Sequence, residues 1–140
     1  MKIRLRHQIL SFAAIRMVFN TMHRMVYPFL PVFARGLGVE LGTLSLAITA
    51  RSVLGTFGPF LAVISDRRGR KLGMLFGLVL FVAGTALVVF WPGLPTFIAA
   101  LLLTTLGKYI FDPPMQAYLG DRIPYHRRGL ALAATELGWS

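Results

Sequence analysis

The residues best suited to chemistry lie in segment 58–71, where an aspartate at the end of an apolar stretch is followed at once by basic residues. Asp66 ends the apolar run, and four cations follow it within five positions, with Gly69 among them. An aspartate at the carboxyl end of a helix is disfavoured by the helix dipole, so it needs a partner, either the positive end of another helix or a nearby arginine. Gly69 permits a chain reversal that returns Arg70 and Lys71 towards Asp66 or towards lipid phosphates. The segment therefore predicts an electrostatic contact at the boundary between a membrane and water.

Polar residues also interrupt the first apolar stretch. At 3.6 residues per turn, five of them share one face of a helix: Arg16, Asn20, His23, Arg24 and Tyr27. A charged side chain near the centre of a bilayer costs about 2.5–3.5 kcal/mol or more. We therefore expect this face to lie against protein or water-filled space. His23 is either a proton relay or a hydrogen-bonded structural histidine.

Three further charged residues lie inside other apolar stretches. Lys108 and Asp112 are four residues apart in the fourth stretch, so a helix places them on one face, where they can form an ion pair. Arg51, in the middle of the second stretch, is expected to point into a helix–helix contact and to need an acidic or carbonyl partner there. Asp112 and Glu136 are the candidates for an ion pair with Arg51.

The composition is that of a membrane protein. Of the 140 residues, 56% are hydrophobic and only 14% are charged, compared with about 25% charged in soluble domains. The net charge of +10 does not indicate nucleic-acid binding, because the cations lie in short loops between apolar segments and form no basic face. The chain has no cysteine, no paired-carboxylate or metal-ligand spacing and no phosphate-binding glycine loop. We expect neither an enzyme nor a metal or cofactor site.

The apolar stretches predict an all-α, polytopic transmembrane helix bundle. Four spans of about the 20 residues that a bilayer requires, and the start of a fifth, are expected at about 9–33, 41–64, 72–91, 96–119 and 130–140. Pro28 and Pro31 should bend the outer third of the first span. In the third span, Gly73, Gly77 and Gly84 form a narrow stripe that should contact a neighbouring helix.

The cations predict the orientation of the bundle. Ten of the fifteen lie before the first span, after the second and after the fourth: Lys2, Arg4, Arg6, Arg67, Arg68, Arg70, Lys71, Arg122, Arg127 and Arg128. The opposite loops contain only Arg35. By the positive-inside rule, the N-terminus and both basic loops are cytoplasmic, in a multi-pass protein of the cell membrane.

The segment around Asp66 resembles the signature loop between the second and third helices of the major facilitator superfamily. That pattern is roughly G-x-x-x-D-R-x-G-R-R/K, and it is filled here by Asp66, Arg67, Gly69, Arg70 and Lys71. One position differs, because Ala62 stands where the family has glycine, which suggests slightly looser packing against the opposing helix. Weaker similarities in the expected order are Arg24 to Pro31, Asp121 to Pro124, Arg128-Gly129 and Glu136.

The resemblance implies a particular architecture and mechanism. Members of this family have twelve helices in two six-helix halves and carry small solutes by alternating access. The chain would supply helices one to four and the start of the fifth of the N-terminal half, with the remaining helices as partners. In the family the loop holds the two halves together in one access state, so Asp66 and Arg70 are expected to act as a conformational lock. Leu101 occupies the place of the helix-four arginine of proton-linked antiporters, so antiport is not inferred.

The resemblance also suggests which residues contact the solute. The family lines its central cavity with helices one and four, which makes Asn20, Arg24, Lys108 and Asp112 the candidates here. Arg24 with Lys108 would favour an anionic or carboxylate-bearing solute. The alternative is that these charges form internal ion pairs.

Two other functions remain open. A complete four-helix protein acting as an oligomeric small-solute or drug exporter would rely on a membrane-embedded glutamate in its first helix, and the first span has no acidic residue. A non-transporting membrane scaffold would not need the intramembrane arginine, lysine and aspartate. The final apolar stretch of eleven residues is too short to cross a bilayer, so we expect the chain to be a fragment.

Overall fold

The computed structural model describes residues 3–58, 60, 63 and 69–136, and these form an all-α bundle without strands. Its helices are α1 Ile3–Met25, α2 Leu30–Leu37, α3 Leu41–Thr56, α4 Arg70–Phe90, α5 Leu94–Arg122 and α6 Tyr125–Glu136. The predicted first span corresponds to α1 and α2 together, and the next three correspond to α3, α4 and α5. The fifth, expected from about 130, overlaps the later part of α6, which begins earlier, at Tyr125.

The first predicted span is two helices and not one bent helix. α1 ends at Met25, and a turn of four residues precedes α2 at Leu30. Pro28 explains the break, because it has no N–H for the helix and disfavours helical backbone at Tyr27. Pro31 lies in the first turn of α2, where proline is tolerated. α2 then ends at Gly38, with a φ of +66°, and the chain turns by 119° into α3.

Two of the described helices, α4 and α5, are individually long and apolar enough to cross a membrane, and α2 with α3 would add a third as a broken span. α1 falls short of that criterion because the cations along its polar face lower its hydropathy. Two members of that face, Arg16 and Asn20, are buried against protein, as a charge in a bilayer requires. Large apolar side chains such as Leu46, Val79 and Phe90 cover the outside.

α4 and α5 pack through glycines. A Cβ atom at Gly77 would lie 2.6 Å from the carbonyl oxygen of Gly107, and one at Gly107 would lie 2.6 Å from the carbonyl oxygen of Gly77. Further along, a Cβ at Gly84 would lie 3.0 Å from the Cβ of Leu103. The predicted contact of the glycine stripe with a neighbouring helix is confirmed, and the neighbour is α5.

Two apolar clusters hold α5 in place along its length. The Phe111 cluster comprises Ile9, Phe19, Met74, Phe81, Phe111, Met115, Leu119 and Ile123. The Leu101 cluster comprises Val26, Ala34, Leu44, Ala47, Phe97 and Leu101. Lys108 lies on α5 between the residues of these two clusters. In the same stretch of α5, Asp112 contacts both Lys108 and Arg16 of α1.

Candidate functional site

Asp112 lies between two cations. Its Oδ2 is 3.0 Å from the Nζ of Lys108, one helical turn earlier on α5, and its Oδ1 is 3.4 Å from the Nε of Arg16 on α1. All three side chains are largely buried. The ion pair between Lys108 and Asp112 that the spacing predicts is present, and it is part of a larger set that we call the Asp112 ion-pair set: Arg16, Lys108 and Asp112.

Polar neighbours extend this set towards α1 and α6. The Nη1 of Arg16 donates to the Oγ1 of Thr135 at 3.4 Å, which ties α1 to α6. Asn20, one turn after Arg16, is 3% exposed, and its Nδ2 has no hydrogen-bond partner among the described residues. Sequence reasoning placed Arg16 on the polar face but did not name it as the partner of Asp112. The feature that could have identified Arg16 as such a partner is its position on the polar face of α1, one turn before Asn20.

The other cationic solute candidate, Arg24, differs from Lys108 in its burial. Its side chain is exposed, whereas Lys108 is buried with Asp112. The Lys108 ammonium thus shares with Arg16 a carboxylate that is four residues away on the same helix.

Arg51 is the third buried cation among the described residues. It is 3% exposed, and its Nη2 donates to the backbone carbonyl oxygen of His23 across 2.8 Å. Its guanidinium carbon also lies 5.5 Å from the centre of the Tyr27 ring. Of the two partner types expected, acid or carbonyl, the described residues supply the carbonyl, while Asp112 lies with Arg16 and Lys108. The side chain of Glu136 lies outside the described part of the chain.

Two cavities meet at Arg51 and His23. A polar cleft of about 350 Å³ is lined by His23, Tyr27, Arg51, Ser52, Gly55, Thr56 and Tyr109. An apolar cavity of about 230 Å³ shares His23 and Arg51, and its other walls come mainly from α1, α4 and α5. Sequence reasoning did not assign Tyr109 or this cleft, because the spacing of Arg51 and Tyr109 along the chain gives no sign that α3 and α5 are in contact.

Part of the signature loop lies within the described residues. Gly69 has a φ of +98°, a left-handed conformation that favours glycine, and it stands directly before α4. Arg70 forms an ion pair with Asp121, near the end of α5, and also donates from Nη1 to the carbonyl oxygen of Ala117 at 3.2 Å. Lys71 is exposed. Asp66 and Arg67 lie outside the described residues, as does Ala62.

The helix dipole explains why Arg70 and Asp121 pair with each other. A cation in the first turn of a helix and an anion in its last turn are both disfavoured by the helix dipole. Arg70 is the first residue of α4, and Asp121 is the second-last residue of α5. The antiparallel packing of the two helices brings these residues together, so each supplies the charge that the other helix end lacks.

The sequence matches the Major Facilitator Superfamily over residues 12–140. Similar curated proteins include the uncharacterized MFS-type transporter YwfA of Bacillus subtilis, 30% identical over 83% of this chain, and the multidrug resistance protein MdtG of Enterobacter lignolyticus, 32% identical over 81%. The inner membrane transport protein YdhP of Escherichia coli is 26% identical over 78%. The chain spans 28% of the length of each of these relatives.

No solved structure matches the chain significantly. The family match covers nearly all of the sequence, and it agrees with the all-α membrane architecture and with the basic loop that precedes α4. The chain belongs to the major facilitator superfamily.

Proposed function

We propose that this chain supplies helices one to four and the start of the fifth of a secondary transporter that moves a small solute across the cell membrane by alternating access. The observation that carries the proposal is the ion pair between Arg70 and Asp121. It joins the end of the signature loop to the last turn of α5, at the end of the bundle where most of the cations lie. Membership of the superfamily supports transport in preference to an enzymatic or scaffold role.

This pair joins two helices of the same half, so we infer that it positions the signature loop for its contact with the other half. The side chains of Arg70 and Asp121 are 39% and 64% exposed, and exposed ion pairs contribute about 0.2–1 kcal/mol. Such a contact biases a conformational equilibrium without fixing it. We assign Arg70, Asp121 and Asp66 to a conformational lock, with Gly69 providing the turn that directs Arg70 back onto α5.

The proposed orientation places this lock in the cytoplasm. Ten of the fifteen cations lie in the N-terminal segment and the two basic loops, and cytoplasmic loops of membrane proteins are enriched in Lys and Arg. Lys71→Cys tests the assignment, because Lys71 is exposed and the 140 residues contain no cysteine. A membrane-impermeant maleimide should label it in inverted vesicles and not in intact cells. Labelling in intact cells only would contradict the orientation.

Alternating access is tested by labelling within the cleft. Ser52→Cys and Thr56→Cys introduce thiols at exposed positions on its wall. In the complete product of the gene, we expect each thiol to react from either side of the membrane, and Asp121→Asn to increase the reaction from the cytoplasmic side. Asp121→Glu retains the charge and is the control. Reaction from one side only in every variant would contradict alternating access.

A further inference from the structure

We propose that the cleft at Arg51, together with the adjoining apolar cavity, binds an organic anion with a compact apolar body. This inference rests on the proposed transport function and names the class of solute that it serves. It moves the anion-binding role from Arg24 and Lys108 to Arg51. The site consists of a cationic, hydroxyl-lined region for the acidic group and a nonpolar space for the body.

The anionic group is indicated by what lines the polar cleft. Arg51 is 97% buried, and its guanidinium offers five N–H donors in a fork that matches a carboxylate. Only one hydrogen bond of this guanidinium, to the carbonyl of His23, is found among the described residues. None of the residues that line the cleft carries a carboxylate. A solute carboxylate would therefore meet an uncompensated positive charge.

Of the neutral residues of the cleft, the two tyrosines suit an anion. Ser52 and Thr56 do not contribute donors, because their hydroxyl protons go to the carbonyls of Ile48 and Val53 in their own helix. The hydroxyls of Tyr27 and Tyr109 have no hydrogen-bond partner among the described residues, so both can donate to a ligand. Tyr109 is held against Gly55, where a Cβ would lie 2.8 Å from its hydroxyl oxygen. Its phenol is thus directed to the same wall as Arg51.

The other two buried cations among the described residues already share a protein carboxylate. Arg16 and Lys108 both lie against Asp112, at 3.4 and 3.0 Å. A solute that bound to either of them would have to compete with this carboxylate at close range. Arg51 has no such competitor among the described residues and is the better anchor for an external anion.

The apolar body is indicated by the second cavity. It has a volume of about 230 Å³ and shares Arg51 and His23 with the polar cleft, so the two spaces adjoin at the anchoring cation. Its remaining walls are mainly nonpolar, among them Val26, Phe97 and Leu101. An engineered apolar cavity of about 150 Å³ holds benzene. A six-carbon ring attached to a carboxylate therefore fits both spaces.

Binding of benzoate to the complete gene product in detergent, measured by isothermal titration calorimetry, tests the inference. Acetate has the same charged group without the apolar body, and benzylamine has a similar body with the opposite charge. We expect benzoate to bind at least about tenfold more tightly than acetate, and benzylamine not to bind. Equal binding of benzoate and benzylamine, or no binding of benzoate, would overturn the proposal.

Variants assign the binding to Arg51. Arg51→Gln removes the charge and retains an N–H donor for the carbonyl of His23, and it should weaken benzoate binding at least about tenfold. Tyr109→Phe, which removes one hydroxyl and keeps the ring, should weaken it a few-fold. Arg35→Gln is the matched control, because Arg35 is an exposed cation that also donates to a backbone carbonyl, that of Pro31. Unchanged affinity in both cleft variants would overturn the assignment.

The proposed transport function and this inference fail separately. If the cleft thiols react from both sides of the membrane but benzoate does not bind, the solute class is wrong and alternating access stands. If benzoate binds through Arg51 but proteoliposomes show no benzoate counterflow and the thiols react from one side only, the site stands and the transport function is wrong.

Discussion

The Nη2 of Arg51 in α3 donates a hydrogen bond to the backbone carbonyl oxygen of His23 in the last turn of α1, across 2.8 Å. The last four carbonyls of a helix lack partners within it, and a cation near that end also complements the helix dipole. Pro28 makes α1 stop at Met25, at a depth where we place it in the membrane and water is scarce. Arg51 thus satisfies a carbonyl that the break in the first span exposes.

The comparison of Arg51→Gln with Arg51→Ala tests this role. Both variants remove the charge and its desolvation cost, but only glutamine can donate to the carbonyl of His23. We expect the glutamine variant to be more stable by about 1–2 kcal/mol, the cost of a buried acceptor without a partner. The higher helix propensity of alanine acts in the opposite direction but is worth less than about 0.7 kcal/mol.

Thermal unfolding in detergent measures this difference. Arg35 provides the control, since its hydrogen bond to the carbonyl of Pro31 is exposed to solvent. The difference between Arg35→Gln and Arg35→Ala should therefore stay below about 0.5 kcal/mol. An alanine variant of Arg51 as stable as the glutamine variant would show that the contact with His23 is incidental.

The sequence predicted those features of the fold that depend on local rules. Apolar runs indicated helices where α3 to α5 lie, and the glycine stripe of α4 indicated a close helix contact. The prolines indicated a bend in the first span, where the structure has a break between α1 and α2. The partners of the charged residues were harder to predict. Arg16 with Asp112 and Arg70 with Asp121 depend on which helices are neighbours, and amphipathic periodicity shows the polar face of one helix without showing what it meets.

The glycine contact between α4 and α5 gives a second prediction. Gly77→Ala or Gly107→Ala would place a methyl group 2.6 Å from a backbone oxygen, so the helices must separate. We expect a loss of about 1–3 kcal/mol for each variant, as in other overpacked interfaces, measured as a lower midpoint of thermal unfolding.

Two other glycines serve as controls for this experiment. Nothing lies within 4 Å of a Cβ built at Gly42 in α3 or Gly120 in α5. Gly42→Ala and Gly120→Ala should therefore be neutral or slightly stabilising, because alanine favours the helix by up to about 1 kcal/mol. If all four variants behaved alike, the close approach of α4 and α5 would not limit stability.

A third prediction concerns Asp112. Asp112→Asn leaves Arg16 and Lys108 buried beside a neutral amide, and removing one member of a buried charge set typically costs about 3–5 kcal/mol. The free energy of unfolding in a mixed-detergent titration should fall by that order. Lys108→Met should cost less, since Asp112 still has Arg16 at 3.4 Å.

Asp121→Asn is the matched control for the change at Asp112. It makes the same chemical change at an aspartate that is paired with Arg70 but 64% exposed, so we expect it to cost less than about 1 kcal/mol. Equal costs at the two aspartates would mean that the Asp112 ion-pair set is well hydrated and is no structural element of the bundle.

The last prediction exchanges the charges of the proposed lock. Arg70→Asp alone places two carboxylates opposite each other and should destabilise the closed cytoplasmic side, as should Asp121→Arg alone, which opposes two cations. The double variant restores an ion pair with reversed polarity. It also places an anion at the start of α4 and a cation at the end of α5, where each helix dipole favours it by about 0.3–1 kcal/mol.

The double variant should therefore unfold at a higher temperature than either single variant and match or exceed the original protein. It should also reduce maleimide labelling of Thr56→Cys from the cytoplasmic side. A double variant no better than the weaker single variant would show that Arg70 acts through its bond to the carbonyl of Ala117 and not through its charge.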